Sequence, residues 1–284
     1  VYSGLTTYRD YFVTWASDPD LFTHFEVGVS MIGAYIRQLA PDERIYVSPD
    51  LPEHPGIRFH SHLREDVRGY NGRVCLVIPE VTPTDTTYVI APSKDKHGLS
   101  QLKSYFPQGQ IIPDPSGALH YGAPYFYAYR VPAHSTAHIS LTHRLLVEWG
   151  PYIRLLGYDI DKEIYRPGDT VVVKLYYQAQ QPMETDYTAF VHLYGPHNPA
   201  TDNPLWAQDD SEPCRAFYPT SVWDVGEIIK DTFTLALPLD MPAGDYILKT
   251  GFYDLRTMQR LPITQGEATD NVAVLGPIEV HMSF

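Results

Sequence analysis

Cysteine is scarce in this chain: Cys75 and Cys214 are the only two in 284 residues, too few for a disulfide framework. Cys75 lies in an apolar run, Val74-Cys75-Leu76-Val77-Ile78, and is expected to be a buried, inert thiol. A Cys75–Cys214 bridge would belong to an extracellular setting, and the sequence favours two separate thiols. Basic residues are few as well. Lys and Arg number 21 against 34 Asp and Glu, a formal net charge of −13. That balance argues against nucleic acid as a partner, because a phosphate backbone needs a basic face. It also argues against docking on anionic lipid headgroups. No run approaches the roughly 18 apolar residues of a membrane span, and no signal-peptide pattern opens the chain. Val1 is not an initiating residue, so the chain is expected to be a piece of a longer protein, cut away from its export signal or membrane anchor. Catalytic signatures are missing too. Neither GxGxxG nor a P-loop follows the first predicted strand, and no G-x-S-x-G elbow occurs. The many acids cannot be paired across a cleft from sequence. No cofactor is expected and no catalytic residue is assigned.

What the chain has in excess is proline (25) and tyrosine (22), with charged residues at only 19%, a composition suited to a β-rich, loop-rich protein. Asp18-Pro19 reads as a helix start. Leu21, Phe25, Val29, Ile32, Tyr35, Ile36 and Leu39 then recur at three- and four-residue steps, an amphipathic helix. Strands are predicted at 44–48, 73–78, 87–91, 110–112 and 125–131, with a short helix over 98–106. Strands alternating with helices imply a small, mostly parallel sheet whose last two strands form a hairpin. From Ile153 the texture is β throughout. Strands are predicted at 170–177, 186–193, 231–237, 246–253 and 272–275, with the turn Met241-Pro242-Ala243-Gly244-Asp245 joining 231–237 to 246–253 and Asp254 to Met258 turning the chain towards Arg260-Leu261. The expected fold is therefore α/β plus all-β. A Rossmann-like α/β domain spans 1–135, a His- and Thr-rich linker 136–152, and an immunoglobulin-like antiparallel β-sandwich 153–284.

Three groups of side chains are candidate sites. His60 and His62 would share one face of an extended segment and reach one metal ion, with His54 or Asp50 as a third ligand. Asp202, Asp209, Asp210 and Glu212 fall in a predicted loop whose hard oxygens suit calcium, although the spacing matches no EF-hand. Trp206, Phe217, Tyr218 and Trp223 flank that loop. A carbohydrate site over 205–223 would use Trp206 and Tyr218 as stacking platforms, with Asp209 and Asp210 bonding hydroxyls. For each group a plainer role competes: hydrogen-bonding histidines, solvated acids, and Tyr218 and Trp223 plugging the sandwich core, with Trp206 the aromatic expected to be exposed.

A set of short motifs in the second half carries a resemblance. These are Leu156-Gly157-Tyr158, Tyr165-Arg166-Pro167-Gly168-Asp169, Ala207-Gln208-Asp209, Tyr218-Pro219-Thr220, Trp223, Gly226-Glu227, Asp231, Leu237-Pro238, Pro242-Ala243-Gly244-Asp245-Tyr246, Gly251-Phe252-Tyr253-Asp254 and Arg260-Leu261. They resemble the soluble tail of bacterial membrane glycosyltransferases of family 39, the dolichyl-phosphate-mannose protein mannosyltransferase-like group. Tyr11 to Ala16 and Ile45-Tyr46-Val47-Ser48 look like the region just after such an enzyme's last membrane helix, so the resemblance covers nearly the whole chain. It implies a non-catalytic, extracytoplasmic module that aids acceptor positioning or assembly. Its partners would be the membrane-embedded part of the same polypeptide and a glycan or protein acceptor. The family's catalytic carboxylates lie in a part absent here, so none is carried over. The alternative function is a carbohydrate-binding module acting through the 205–223 loop, and a third is a hydrolase built on the α/β half.

Overall fold

The computed structural model describes residues 2–10, 13, 26–49, 53–112, 119–120, 123–266 and 268–282. The chain forms two compact units, Val1–Gly69 with Thr82–Ser135, and Tyr70–Val81 with Thr136–Phe284.

Among the described residues of the first unit, five strands run in the order Val67–Gly69, Arg44–Ser48, Thr86–Ile90, Tyr127–Val131, Gln110–Ile112. The first three are mutually parallel and the last two pair antiparallel. Arg44–Ser48 and Thr86–Ile90 are buried along nearly their whole length, which is why they read as unbroken apolar runs rather than alternating ones. The helix Val27–Ile36 presents Val29, Ile32 and Ile36 at three- and four-residue steps. These side chains pack with Ile45, Val47, Val89 and Phe126 into one core. The helix start expected at Asp18-Pro19, with Leu21 and Phe25, lies outside the described residues. The short helix is found at Gly98–Tyr105 and the final hairpin pairing is present.

The expected second strand of this sheet is a correction. Cys75–Pro79 belongs to the other unit, antiparallel to Glu227–Ala236 with Cys75 opposite Asp231 and Val77 opposite Ile229. A five-residue run buried at every position looks the same in either sheet, and only its tertiary partner decides between them. The parallel position is filled instead by Val67–Gly69, three residues too short to show any period. The domain boundaries shift accordingly, since 70–81 leaves the 1–135 unit.

The second unit is a β-sandwich. One sheet has the order Ile263–Gln265, His143–Trp149, Ile153–Ile160, Thr170–Ala179, Glu227–Ala236, Cys75–Pro79. The other runs Ile164–Tyr165, Val272–Val280, Gly244–Asp254, Tyr187–Asn198, Asn203–Ser211. The sheets meet through aromatic rings: Phe252 lies 5.3 Å from Trp149 and 4.8 Å from Tyr177, while the Tyr177 hydroxyl is 3.1 Å from Thr250 Oγ1. Tyr158 donates to the Leu275 carbonyl across the same gap. The region expected as a linker over 136–152 is a second correction, because it holds the strand His143–Trp149 with Trp149 fully buried. The histidines and threonines before it hide the short alternation at its end. A third correction falls on the predicted loop around 203–211, which is an edge strand. Its polar, acidic sequence suits the edge of a sheet as well as it suits a loop.

Candidate functional site

The cysteines form a disulfide, with Cα atoms 5.2 Å apart and both residues buried, which corrects the expectation of an inert thiol at Cys75. Sequence spacing could not reveal it, because the strand pairing of Cys75 with Asp231 is what carries it to Cys214. A tight cluster surrounds the bridge. Cys214, Arg215 and Ala216 all have positive φ, 57°, 57° and 66°. The Cys214 amide donates to Asp231 Oδ2 at 3.1 Å, and the Thr232 amide donates to Oδ1 at 3.0 Å. Burial pushes the Asp231 carboxyl up to about 7, against the opposing pull of those two amides and of Arg215.

This cluster absorbs most of the proposed carbohydrate residues. Asp209 receives Arg215 at 2.6 Å and the Thr234 amide at 2.8 Å. Cys75–Pro79 pairs only with 227–231, so the Thr234 amide lies beyond the end of that ladder, where Asp209 satisfies it. Tyr218 is buried and donates to Glu227 Oε2 at 2.7 Å, and the Trp223 indole donates to the Tyr218 carbonyl. Trp206 was the aromatic expected at the surface, but it is only 8% exposed. Its indole N–H bonds the Pro196 carbonyl and its ring packs edge-on against Tyr246. Only Asp210 of that set faces outward. Trp206, Tyr218 and Trp223 are therefore unavailable as stacking platforms, and Phe217 is half-buried.

The histidines do not converge either. His60 ends the helix Pro55–His60 and His62 follows with φ of 58°, so the extended backbone that would align them is absent. His62 lies 3.2 Å from Arg37, and His54 accepts from the Gly56 amide. Asp50 lies outside the described residues. Among the described residues no three His, Cys, Asp or Glu side chains gather as a metal site, including Asp202 and Glu212.

In the first unit, parallel neighbours Arg44–Ser48 and Thr86–Ile90 define a point where strand order reverses, the place where α/β sheets bind ligands. Its contents are the chain's own. Asp95, buried, receives Ser48 Oγ at 2.7 Å and the Gly98 amide at 2.8 Å. A carboxylate thus sits where the helix Gly98–Tyr105 would receive a phosphate, in keeping with the missing glycine-rich motif. Gly98 is needed there because a Cβ would stand 2.4 Å from Asp95 Oδ2. Gly98→Ala is expected to cost roughly 1–3 kcal/mol by overpacking, visible as a lower thermal midpoint.

The surface that sequence reasoning passed over is the outward face of Tyr187–Asn198. Ala189, Val191 and Leu193 point into the sandwich, so Phe190, His192 and Tyr194 form the opposite row, in which Phe190 is itself buried and His192 and Tyr194 are half-buried. His192 is held at both ring nitrogens, by Asp210 Oδ1 at 2.9 Å and the Tyr194 hydroxyl at 3.2 Å. Lys249 stands 5.0 Å from the Tyr194 ring centre and Arg260 5.7 Å from that of Phe190. Burial, with Asp210 nearby, raises the neighbouring Tyr253 phenol above its usual value. The alternation was legible in the sequence, but both rows carry apolar residues, so its outward face was not.

No family model and no curated protein matches the chain. Among solved structures it is similar to the Pseudomonas fluorescens alkylpurine DNA glycosylase AlkC bound to DNA containing an abasic site analog, at 8% identity over 46% of this chain and 31% of that one, TM-score 0.27. It is also similar to a CARDB domain from Pyrococcus furiosus in complex with di-metal ions, at 12% identity over 50% and 95%, TM-score 0.27. A third is the C-terminal domain of wzt, at 13% identity over 51% and 83%, TM-score 0.30. Likenesses this low carry no argument about function.

Proposed function

We propose that this chain is a non-catalytic, extracytoplasmic module of a membrane-embedded, lipid-phosphate-sugar-dependent glycosyltransferase of family 39, aiding acceptor positioning or assembly. The observation that carries the reading is the Cys75–Cys214 disulfide, which suits an oxidising compartment and leaves no free thiol. The motif resemblance supplies the partner, the membrane part of the same polypeptide. The internal engagement of Asp95, Asp209 and Asp231 supports the absence of chemistry here, because each carboxylate is committed to hydrogen bonds within its own unit. The finer fold classes belong to the same reading, a Rossmann-like sheet and an immunoglobulin-like sandwich. The parallel trio of strands and the two facing sheets support them.

The test is sugar transfer from the lipid-phosphate donor to acceptor, comparing the full-length enzyme, the enzyme lacking this tail, and the isolated tail. The isolated tail is expected to transfer nothing. The tailless enzyme is expected to keep donor turnover while its acceptor KM rises. Transfer by the isolated tail would overturn the non-catalytic reading.

A further inference from the structure

We propose that Asp231 is the proton partner of the Cys75–Cys214 bridge, accepting the Cys75 thiol proton as the bridge closes and returning it as the bridge opens. The inference rests on the bridge alone and holds whatever enzyme the chain is attached to. Asp231 stands in the core-facing row of Glu227–Ala236, between Ile229 and Phe233, where an alternating strand ordinarily carries an apolar side chain. A carboxyl buried at such a position is unfavourable and calls for a reason.

Three observations place it at the sulfurs. Cys75 is its cross-strand partner, and such partners share a face with Cβ atoms about 4.5–5.5 Å apart. The Cys214 amide donates to Asp231 Oδ2 at 3.1 Å, which ties the carboxylate to the turn that carries the other sulfur. All three residues are buried, which keeps bulk water from serving as the base. The other ionisable groups around Asp231 are engaged elsewhere. Arg215 is paired with Asp209, the Tyr177 hydroxyl is 3.1 Å from Thr250 Oγ1, and Glu227, on the same row, accepts from Tyr218. Lys174 and Lys230 belong to the outward rows of their strands. Asp231 is thus the carboxyl left to exchange a proton with the bridge.

Closure needs a disulfide oxidant, RSSR. Cys214 lies on a turn whose Ala216 is exposed, whereas Cys75 lies in a strand buried at every position, so Cys214 is the sulfur an oxidant reaches. The Cys214 thiolate displaces one RS⁻ and forms a mixed disulfide. Cys75 Sγ then attacks Cys214 Sγ, the second RS⁻ leaves, and the Cys75 proton passes to Asp231. Two thiols lose two electrons and RSSR gains them. Both RS⁻ groups end as RSH with the two protons the cysteines gave up, one of them by way of Asp231. The transfer moves one negative charge from oxygen to sulfur inside the core, where a thiol ionising on its own would add a second charge. Burial, which raises the Asp231 carboxyl to about 7, suits it to this exchange near neutral pH.

The test is reduction of the oxidised, folded chain by dithiothreitol between about pH 6 and 8, each rate divided by the concentration of reductant thiolate present. In this reverse direction the departing Cys75 thiolate takes its proton from protonated Asp231. The rate per thiolate is therefore expected to fall roughly tenfold across that range, following a carboxyl of about 7, and to stay level in Asp231→Asn. A purely structural carboxyl gives the opposite slope. The fold weakens as pH rises towards 7, so a bridge opened by unfolding is reduced faster. A parent rate that is level or rises with pH would overturn the proposal, and this profile decides the matter even if the variant does not fold. An Asp231→Asn profile falling in step with the parent's would overturn it too, by giving the proton to another group.

Discussion

Replacing both cysteines, as Cys75→Ala with Cys214→Ala, is expected to cost about 5 kcal/mol of unfolding free energy. The bridge closes a loop with a sequence separation of 139. The loop-entropy relation for that length gives close to 5 kcal/mol at 25 °C, near the top of what a single bridge contributes. A second effect adds to it. Cys214, Arg215 and Ala216 hold three successive left-handed conformations with no glycine among them. Such backbone persists only where its surroundings over-determine it. The constraints here are the disulfide, the Asp231 bond to the Cys214 amide, and the Arg215–Asp209 pair. Without the first, the edge strand Cys75–Pro79 is held to the sandwich by its five-residue ladder, the burial of its side chains and the bonds of Glu80 with Gly226, Ala137 and Gln178. The measurement is urea unfolding of the oxidised protein, the reduced protein and the double variant. The last two should agree and fall well below the first, with a thermal midpoint lower by roughly 10–20 °C. A double variant within about 1 kcal/mol of the oxidised protein would contradict this account of the cluster.

The second large effect is a pH dependence of unusual sign. Asp231 sits in the core-facing row of Glu227–Ala236, between Ile229 and Phe233. Burial raises its carboxyl from 3.8 to about 7, with Asp209 adding to the shift and the Cys214 amide, Thr232 amide and Arg215 opposing it. Tyr177 faces the same carboxylate, which contributes to its own raised value. The folded chain therefore holds a proton that the unfolded chain releases between those two values. Stability is fullest near pH 4, falls as pH rises towards 7, and levels off above that. Across about three pH units at about 1.4 kcal/mol each, the span is roughly 4 kcal/mol. The carboxylates held low, Asp66, Asp159, Asp169 and Asp254, act in the opposite direction, their stabilisation being lost at more acidic pH. Asp231→Asn removes the proton, so its stability should be nearly flat between about pH 5 and 7 while the parent's slopes downward. Equal slopes in the two proteins would show that Asp231 does not govern this range.

The sequence made local structure legible where a single face is buried. Phe233 and Leu235 against Thr232 and Thr234 announced their strand, and the buried runs at 44–48 and 86–90 announced theirs. Partnership was hidden. The run at 75–79 is buried throughout, so nothing in it states which sheet it joins, and the disulfide depends on that choice. The segment 203–211 looked like a loop because an edge strand tolerates Pro204, Asp209 and Asp210. The candidate site was hidden for a related reason. Phe190 and Tyr194 are as apolar as the row beside them, and Phe190 is buried as deeply as Ala189 and Val191, so the alternation alone does not separate the two faces. Trp206 misled in the opposite sense, as its indole found a carbonyl partner and its ring a neighbour in Tyr246.

The proposed extracytoplasmic placement is tested most directly by the thiol state of Cys75 and Cys214 in the protein taken from its native cells. Denaturing the sample without reductant, alkylating it and mapping the two peptides should show neither cysteine labelled, and both labelled only after reduction. Labelling of both before reduction would show that the bridge does not form where the protein works, and would contradict the account.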